Sequence, residues 1–217
     1  MDTQKIFHKY SRVIGVDESG KGDYFGPLVA AAVLIKKEDL DLVAGWGVRD
    51  SKTLSEKQII EKARQIREKL IYNVVVINPK KYNELYSKFK NLNRLLAWAH
   101  ARVIENILES HKADVAISDQ FGYLPYVEKA LMEEGKKIDF ISETKAERFL
   151  PVACASIVAR FTFINALQRL SDEVGFVLSK GGNNSTIIDG KKLISAQLKL
   201  EDYAKVHFKN TKEIIEG

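Results

Sequence analysis

The sequence predicts an α/β fold: a five-stranded mixed sheet flanked by helices, with extra helices at the C-terminal end. Three observations carry this. Short β-branched or apolar runs recur along the chain, two of them before any long helical period. After the third run, segments of helical spacing alternate with further short runs, the order of an α/β layer rather than a bundle or a sandwich. The length of 217 residues, with 45% apolar and 29% charged residues, suits one domain with a real core.

The elements follow in order. Residues 11–17 (SRVIGVD) and 27–35 (PLVAAAVLI) are expected as the first two strands, joined by a loop rich in turn residues. Ser55 and Gln58 form a capping box ahead of a helix to about Lys69. Residues 71–77 (IYNVVVI) are the third strand, and Pro79 suits the first position of a short helix. From Asn91, apolar residues at Leu92, Leu95, Leu96, Ala99, Val103 and Ile107 keep helical spacing over four turns. Residues 114–118 (DVAIS) are the fourth strand, Leu124 to Glu134 a helix, and 138–141 the fifth strand. A long helix is expected from Val152 to about Leu170, and residues 171–217 as an excursion followed by one or two helices. The whole chain, 1–217, is expected to be a single catalytic domain with that C-terminal extension.

Composition excludes several classes. A single cysteine, Cys154, leaves no internal disulfide framework and no cysteine-built zinc site. The longest weakly polar run, Phe25 to Ile35, falls far short of the ~20 residues of a spanning helix. The polar N-terminus has no apolar signal core, so a cytoplasmic protein without a membrane partner is expected. The net charge of +5 is modest, but its distribution is not even. Between Lys52 and Arg94 eleven basic residues face four acidic ones, with Tyr72, Tyr82, Tyr86 and Phe89 interleaved. That pattern suits a polyphosphate backbone, and it equally suits a solvated helix face above core aromatics.

Three groups of residues could carry chemistry. Asp17 and Glu18 end a hydrophobic strand and lead into a glycine-rich loop spaced Gly20-x-Gly22-x-x-x-Gly26. This matches neither the dinucleotide pattern nor a P-loop. Burying two adjacent carboxylates calls for a cation or hydrogen-bond partners; a strand-end turn capped by Asp17 is the plainer alternative. Consecutive strand residues face opposite sides, so the two can serve one site only if the strand ends or bulges there. Asp119 ends the fourth strand before Gln120, Phe121 and Gly122, a ligand-site position in an open sheet and also a common turn. Glu143 and Glu147 follow the fifth strand, as helix-start carboxylates or as metal ligands. Carboxylates from three strand ends would suit Mg²⁺ or Mn²⁺ and phosphodiester hydrolysis. No serine–histidine–acid arrangement is indicated. Of the four histidines, His207 is the only one to consider near a site, with helix packing its expected role, while His100 is expected to be packed or hydrogen-bonded. Cys154, among alanines, is expected as a small buried residue.

These residues also form longer strings. Gly15-Val-Asp-Glu-Ser-Gly-Lys-Gly-Asp-Tyr-Phe-Gly-Pro27 resembles the opening motif of the type 2 ribonuclease H family, in its HIII form. Further matches are Arg49-Asp-Ser-Lys-Thr-Leu54, Lys81-Tyr-Asn-Glu-Leu-Tyr86, Asn91 to Trp98 with His100, Asp119-Gln-Phe121, Thr144-Lys-Ala-Glu147, Ala155 to Arg160, Lys180-Gly181 and His207-Phe-Lys-Asn-Thr211. The resemblance implies a ribonuclease H-like fold and endonucleolytic cleavage of the RNA strand of RNA–DNA hybrids, leaving 5′-phosphate and 3′-hydroxyl ends. It implies two divalent ions, Mg²⁺ or Mn²⁺, held by Asp17, Glu18, Asp119 and Glu147, with Glu143 the fallback because the spacing after Glu147 is one residue short. It assigns Gly20, Lys21 and Gly22 to the ribose 2′-hydroxyls, and Lys52 and Lys180 to phosphates. A monomer is expected.

The chain departs from the family's pattern in two places. The HIII form usually carries an N-terminal substrate-binding domain of the TATA-binding-protein type, whereas about ten residues precede the first strand here. Gly181 and Gly182 stand near the tyrosine with which the HII form reads an RNA–DNA junction, so strong cleavage at single embedded ribonucleotides is not expected. That HII-like activity is the rival within the enzymes, and a hybrid-binding module without catalysis is the rival outside them.

Overall fold

The computed structural model describes residues 3–48, 51–121 and 125–216. Five strands form one mixed sheet: β1 (Arg12–Ser19), β2 (Leu28–Lys36), β3 (Ile71–Ile77), β4 (Val115–Asp119) and β5 (Asp139–Glu143), in the order β3-β2-β1-β4-β5. β1, β4 and β5 run parallel, with Gly15 beside Ile117 and Ile117 beside Ile141. β2 is buried along nearly its whole length, the pattern of a strand covered on both faces.

Ten helices are described: α1 (Thr3–Lys9), α2 (Leu40–Gly45), α3 (Glu56–Lys69), α4 (Pro79–Phe89), α5 (Leu92–Leu108), α6 (Tyr126–Ala130), α7 (Leu150–Val174), α8 (Asn184–Ser195), α9 (Leu200–Tyr203) and α10 (Asn210–Glu216). Their local causes are plain. The Ser55–Gln58 capping box is formed in both directions, and Pro79 sits in the first turn of α4. Asn91 caps α5 by accepting from the Arg94 amide at 3.2 Å. Thr3 caps α7 from a distant part of the chain, its hydroxyl oxygen accepting from the Leu150 amide at 3.0 Å.

Several elements differ from expectation. The short helices α1 and α2 have no long period in the sequence; α1 is fixed by burying Ile6 and Phe7. Of the expected helix 124–134, Leu124 lies outside the described residues and α6 stops at Ala130. The reason is tertiary. Glu105 of α5 accepts from the amides of Glu134 and Gly135, both at 2.9 Å, and holds that backbone out of a helix. α7 is longer than expected at both ends and stops at Gly175, whose φ of +78° suits a helix end. Three C-terminal helices stand where one or two were expected. α7 is also the one described helix long and apolar enough to cross a membrane, but most of that window is buried in the protein.

The chain divides into two compact units, each continuous only in space. One comprises Met1–Glu18, Ala30–Val75 and Asn91–Phe161; the other comprises Ser19–Val29, Val76–Lys90 and Thr162–Gly217. The first holds most of the sheet. In the second, the Phe25 backbone bridges Ala204, and α8 packs on α10.

Candidate active site

The acidic residues lie in the first unit, at the C-terminal ends of its parallel strands. The register pairs Val16 with Ser118, which carries Asp17 level with Asp119, and Asp119 pairs with Glu143. β1 runs on to Ser19 without ending at Asp17; Asp17 meets α7 and Glu18 meets α5, yet their carboxylates stay close enough to repel each other and so can border one cation.

Each side is built by a different helix. Asp17 shares its side with Gly15, where an added Cβ would strike the backbone of Pro151 and Val152 in α7. One turn further along α7, Ser156 hydrogen-bonds the Asp17 carboxyl, and the Ser156 hydroxyl lies 2.8 Å from that of Ser51. Desolvation raises the Asp17 carboxyl above the usual carboxylate range, followed by repulsion from Glu18, while Asp119 adds a smaller push. The Ser156 hydroxyl and the Glu18 amide pull the other way.

Glu18 faces α5. Its side chain is only 5% exposed, and Oε2 accepts from His100 Nε2 at 3.0 Å. His100 Nδ1 lies 2.9 Å from the hydroxyl of Ser118, and both residues are fully buried. A serine–histidine–glutamate chain therefore exists, contrary to expectation, but Ser118 is sealed from solvent and cannot act as a nucleophile. The chain orients Glu18. His100, rather than His207, is the histidine at the acidic site; His207 belongs to the second unit, stacked on Tyr86 at 4.1 Å. The sequence carried a signal for His100, which falls on the apolar stripe of α5 between Leu96 and Val103.

Asp119 Oδ1 accepts from the Ala146 amide at 3.1 Å, which ties the turn 144–148 to the end of β4. The two candidate glutamates flank that tie. Glu143 is ion-paired with Arg148, whose guanidinium also donates to the carbonyls of Thr144 and Lys145. Glu147 makes no ion pair among the described residues. It lines a cavity of about 410 Å³ with Thr3, Asp41, Val48 and Ala153, the last one turn before Ser156 on α7. Among the described residues no three carboxylate, histidine or cysteine side chains converge into a ready metal cage. Asp17, Glu18 and Asp119 instead each hold a protein partner.

The second unit holds the glycine-rich loop and Lys180. Gly20 has φ of +88° and lies against Phe163 and the Pro27 carbonyl, so its backbone admits only glycine. Gly22 has open space where a side chain would go; packing does not demand glycine there. Lys21 and Gly22 are exposed, while Lys180 is half-buried. The Lys52 side chain lies outside the described residues, as do Arg49, Asp50 and Gly122. Of the interleaved aromatics, Tyr82 is core, fully buried on the inner face of α4. Cys154 is also buried, and burial pushes its thiol up.

A mixed sheet in this strand order, with acidic side chains gathered at the ends of its central parallel strands, defines the ribonuclease H-like class. The chain belongs to the ribonuclease HII family, whose model matches residues 14–211. Among its relatives, ribonuclease HIII of Protochlamydia amoebophila (strain UWE25) is 43% identical over 204 residues, covering 93% of this chain and 68% of that protein. Ribonuclease HIII of Chlamydia pneumoniae is 43% identical over 209 residues, covering 94% and 70%. The crystal structure of Bst-RNase HIII in complex with Mn²⁺ superposes with a TM-score of 0.88 at 30% identity, covering 95% of this chain and 70% of that one.

Proposed function

We propose that this chain is an endonuclease that hydrolyses the RNA strand of RNA–DNA hybrids, with divalent cations held by Asp17, Glu18, Asp119 and Glu147. One observation carries it: Asp17 and Asp119 stand level at neighbouring strand ends, and their carboxylates, with Glu18, repel one another. An all-oxygen donor set under mutual repulsion fits a hard divalent cation, Mg²⁺ or Mn²⁺, and the Mn²⁺ bound by the Bst enzyme agrees. Glu147 is preferred to Glu143 as the fourth ligand because Arg148 already neutralises Glu143.

When bound, such cations supply the positive charge that activates an attacking water and stabilises the leaving oxygen in phosphodiester hydrolysis. The chain's own residues prepare that chemistry. Ser156 and His100 aim Asp17 and Glu18 from opposite faces, and the Ala146 amide aims Asp119. Water adds to phosphorus as the bond to the 3′-oxygen breaks, leaving a 5′-phosphate and a 3′-hydroxyl. Lys21 and Gly22 are exposed residues, and with no side chain at Gly22 the loop would meet a ribose 2′-hydroxyl, the group that separates RNA from DNA. Lys180, with Lys52, would contact phosphates, giving salt-sensitive affinity.

The test is cleavage of a labelled RNA–DNA hybrid, and of duplex DNA carrying one ribonucleotide, with Mg²⁺, Mn²⁺ or EDTA. Metal-dependent cuts in the hybrid's RNA, the second duplex staying intact, are expected, and Asp17→Asn should abolish them while hybrid binding persists. Cutting confined to the lone ribonucleotide, or an Asp17→Asn variant of near wild-type rate, refutes the proposal.

A further inference from the structure

Lys205 is fully buried, an expensive place for an ammonium group. It is solvated by backbone. Its Nζ donates to the carbonyls of Asp23 and Gly26, both at 2.7 Å, and lies 5.7 Å from the centre of the Tyr82 ring. Main-chain bonds join the same two segments: Lys205 N donates to the Tyr24 carbonyl at 2.8 Å, and Gly26 N to the Tyr203 carbonyl at 3.0 Å. The loop that carries Gly20, Lys21 and Gly22 is therefore anchored at its C-terminal side on one buried side chain.

The Asp23 carboxylate carries the order further. Its Oδ1 accepts from the Gly181 amide at 2.7 Å, and the Tyr24 amide donates to the Gly181 carbonyl at 2.8 Å. Gly181, with φ of +80°, is thus gripped at both ends of its peptide. On the other side of Lys180, the buried Asp189 accepts from the Ser179 amide at 3.1 Å and from its hydroxyl at 2.6 Å. Lys180 sits between two pinned neighbours, joined through Asp23 to the glycine-rich loop.

We infer that Lys205 and Asp23 are positioning residues that hold the Gly20–Gly22 loop and the Lys180 segment as one preorganised substrate-contacting edge. The inference rests on the proposed function, since it assumes that these two segments meet the hybrid. Neither residue touches the reacting atoms; they act by fixing backbone that does.

The decisive pair of variants is Asp23→Ala and Asp23→Asn in the full chain. Alanine removes the acceptor for Gly181, whereas asparagine keeps an oxygen in its place. Losing a charge-assisted bond of this kind corresponds to about a tenfold effect, expected in KM for hybrid with kcat within about twofold. Asp23→Asn should recover most of it. Competition by duplex DNA should strengthen in Asp23→Ala, since a loosened loop discriminates the ribose less well. Hydrogen exchange reads the positioning without catalysis: the Gly181 and Tyr24 amides should exchange faster in Asp23→Ala than in Asp23→Asn. Lys205→Met should show the same KM-weighted loss; because that change also alters the buried core of the unit, the Asp23 pair decides. Wild-type KM in Asp23→Ala, a kcat-only loss, or unchanged exchange at Gly181 overturns the inference. A wild-type chain that leaves hybrids uncut defeats the proposed function, whereas the exchange result judges the positioning by itself.

Discussion

Gly15→Ala is the sharpest structural perturbation available in the first unit. Gly15 is buried in β1, and an added Cβ would lie closer than 3.0 Å to three atoms, Pro151 C, Pro151 O and Val152 N. All three are backbone, so no rotamer change relieves the clash; the first turn of α7 must lift away from the sheet. Overpacking of this kind costs about 1–3 kcal/mol, and a purely backbone collision belongs at the upper end. For a chain of 217 residues, each kcal/mol moves Tm by about 2–4 °C, so a fall of roughly 6–12 °C is expected. Function should fall as well. Lifting that turn draws Ser156 from Asp17, since the two contacts lie about one turn apart on the same helix. Calorimetry and hybrid cleavage on the same preparations test both parts. A Gly15→Ala protein that melts within 2 °C of wild type and cuts at the wild-type rate would refute the close approach of β1 to α7.

Two further outcomes are expected. His100→Ala leaves the Glu18 carboxylate and the Ser118 hydroxyl without their buried partner; partners in this position are worth about 10–100-fold in metal affinity or activity, so a titration of cleavage against Mn²⁺ should shift to higher metal by that order. An unshifted titration would separate His100 from the metal-binding reading. Tyr82→Phe should be neutral or stabilising by up to about 1 kcal/mol, because the Tyr82 hydroxyl is buried without a hydrogen-bond partner among the described residues. Chemical denaturation that shows a clear loss would mean the hydroxyl has a partner.

What the sequence disclosed, and what it hid, follows from how local each cause is. The strand 71–77, the Ser55–Gln58 cap and the proline start of α4 depend on neighbouring residues alone, and they stand where periodicity and capping put them. α6 ends early because of Glu105, about thirty residues upstream, and no window of local sequence contains that cause. α1 is seven residues long and is held by burial of Ile6 and Phe7, too short for a period to register. At the acidic site, Asp17 and Asp119 could be suspected from carboxylates at apolar strand ends. Ser156 could not, because a serine within a small-residue run looks like filler until its partner is known, and Ser51 reaches Asp17 only through Ser156.

The opposed directions of Asp17 and Glu18 answer a difficulty that the sequence raised. Adjacent residues on a strand alternate in direction, yet the two carboxylates lie close enough to repel each other. Opposed faces give each carboxylate its own helix: Ser156 on α7 orients Asp17, and His100 on α5 orients Glu18. A bulge would have brought both to one helix and left them competing for its donors. The separate directions instead let one buried hydroxyl and one imidazole satisfy the pair from both sides. Asp119, one strand over, takes its own donor from the Ala146 amide. Three acceptors with three separate donors can therefore stay close enough to repel. That residual repulsion is what a divalent cation would relieve, and it explains why replacing Asp17 by a neutral amide should remove turnover before it removes the fold.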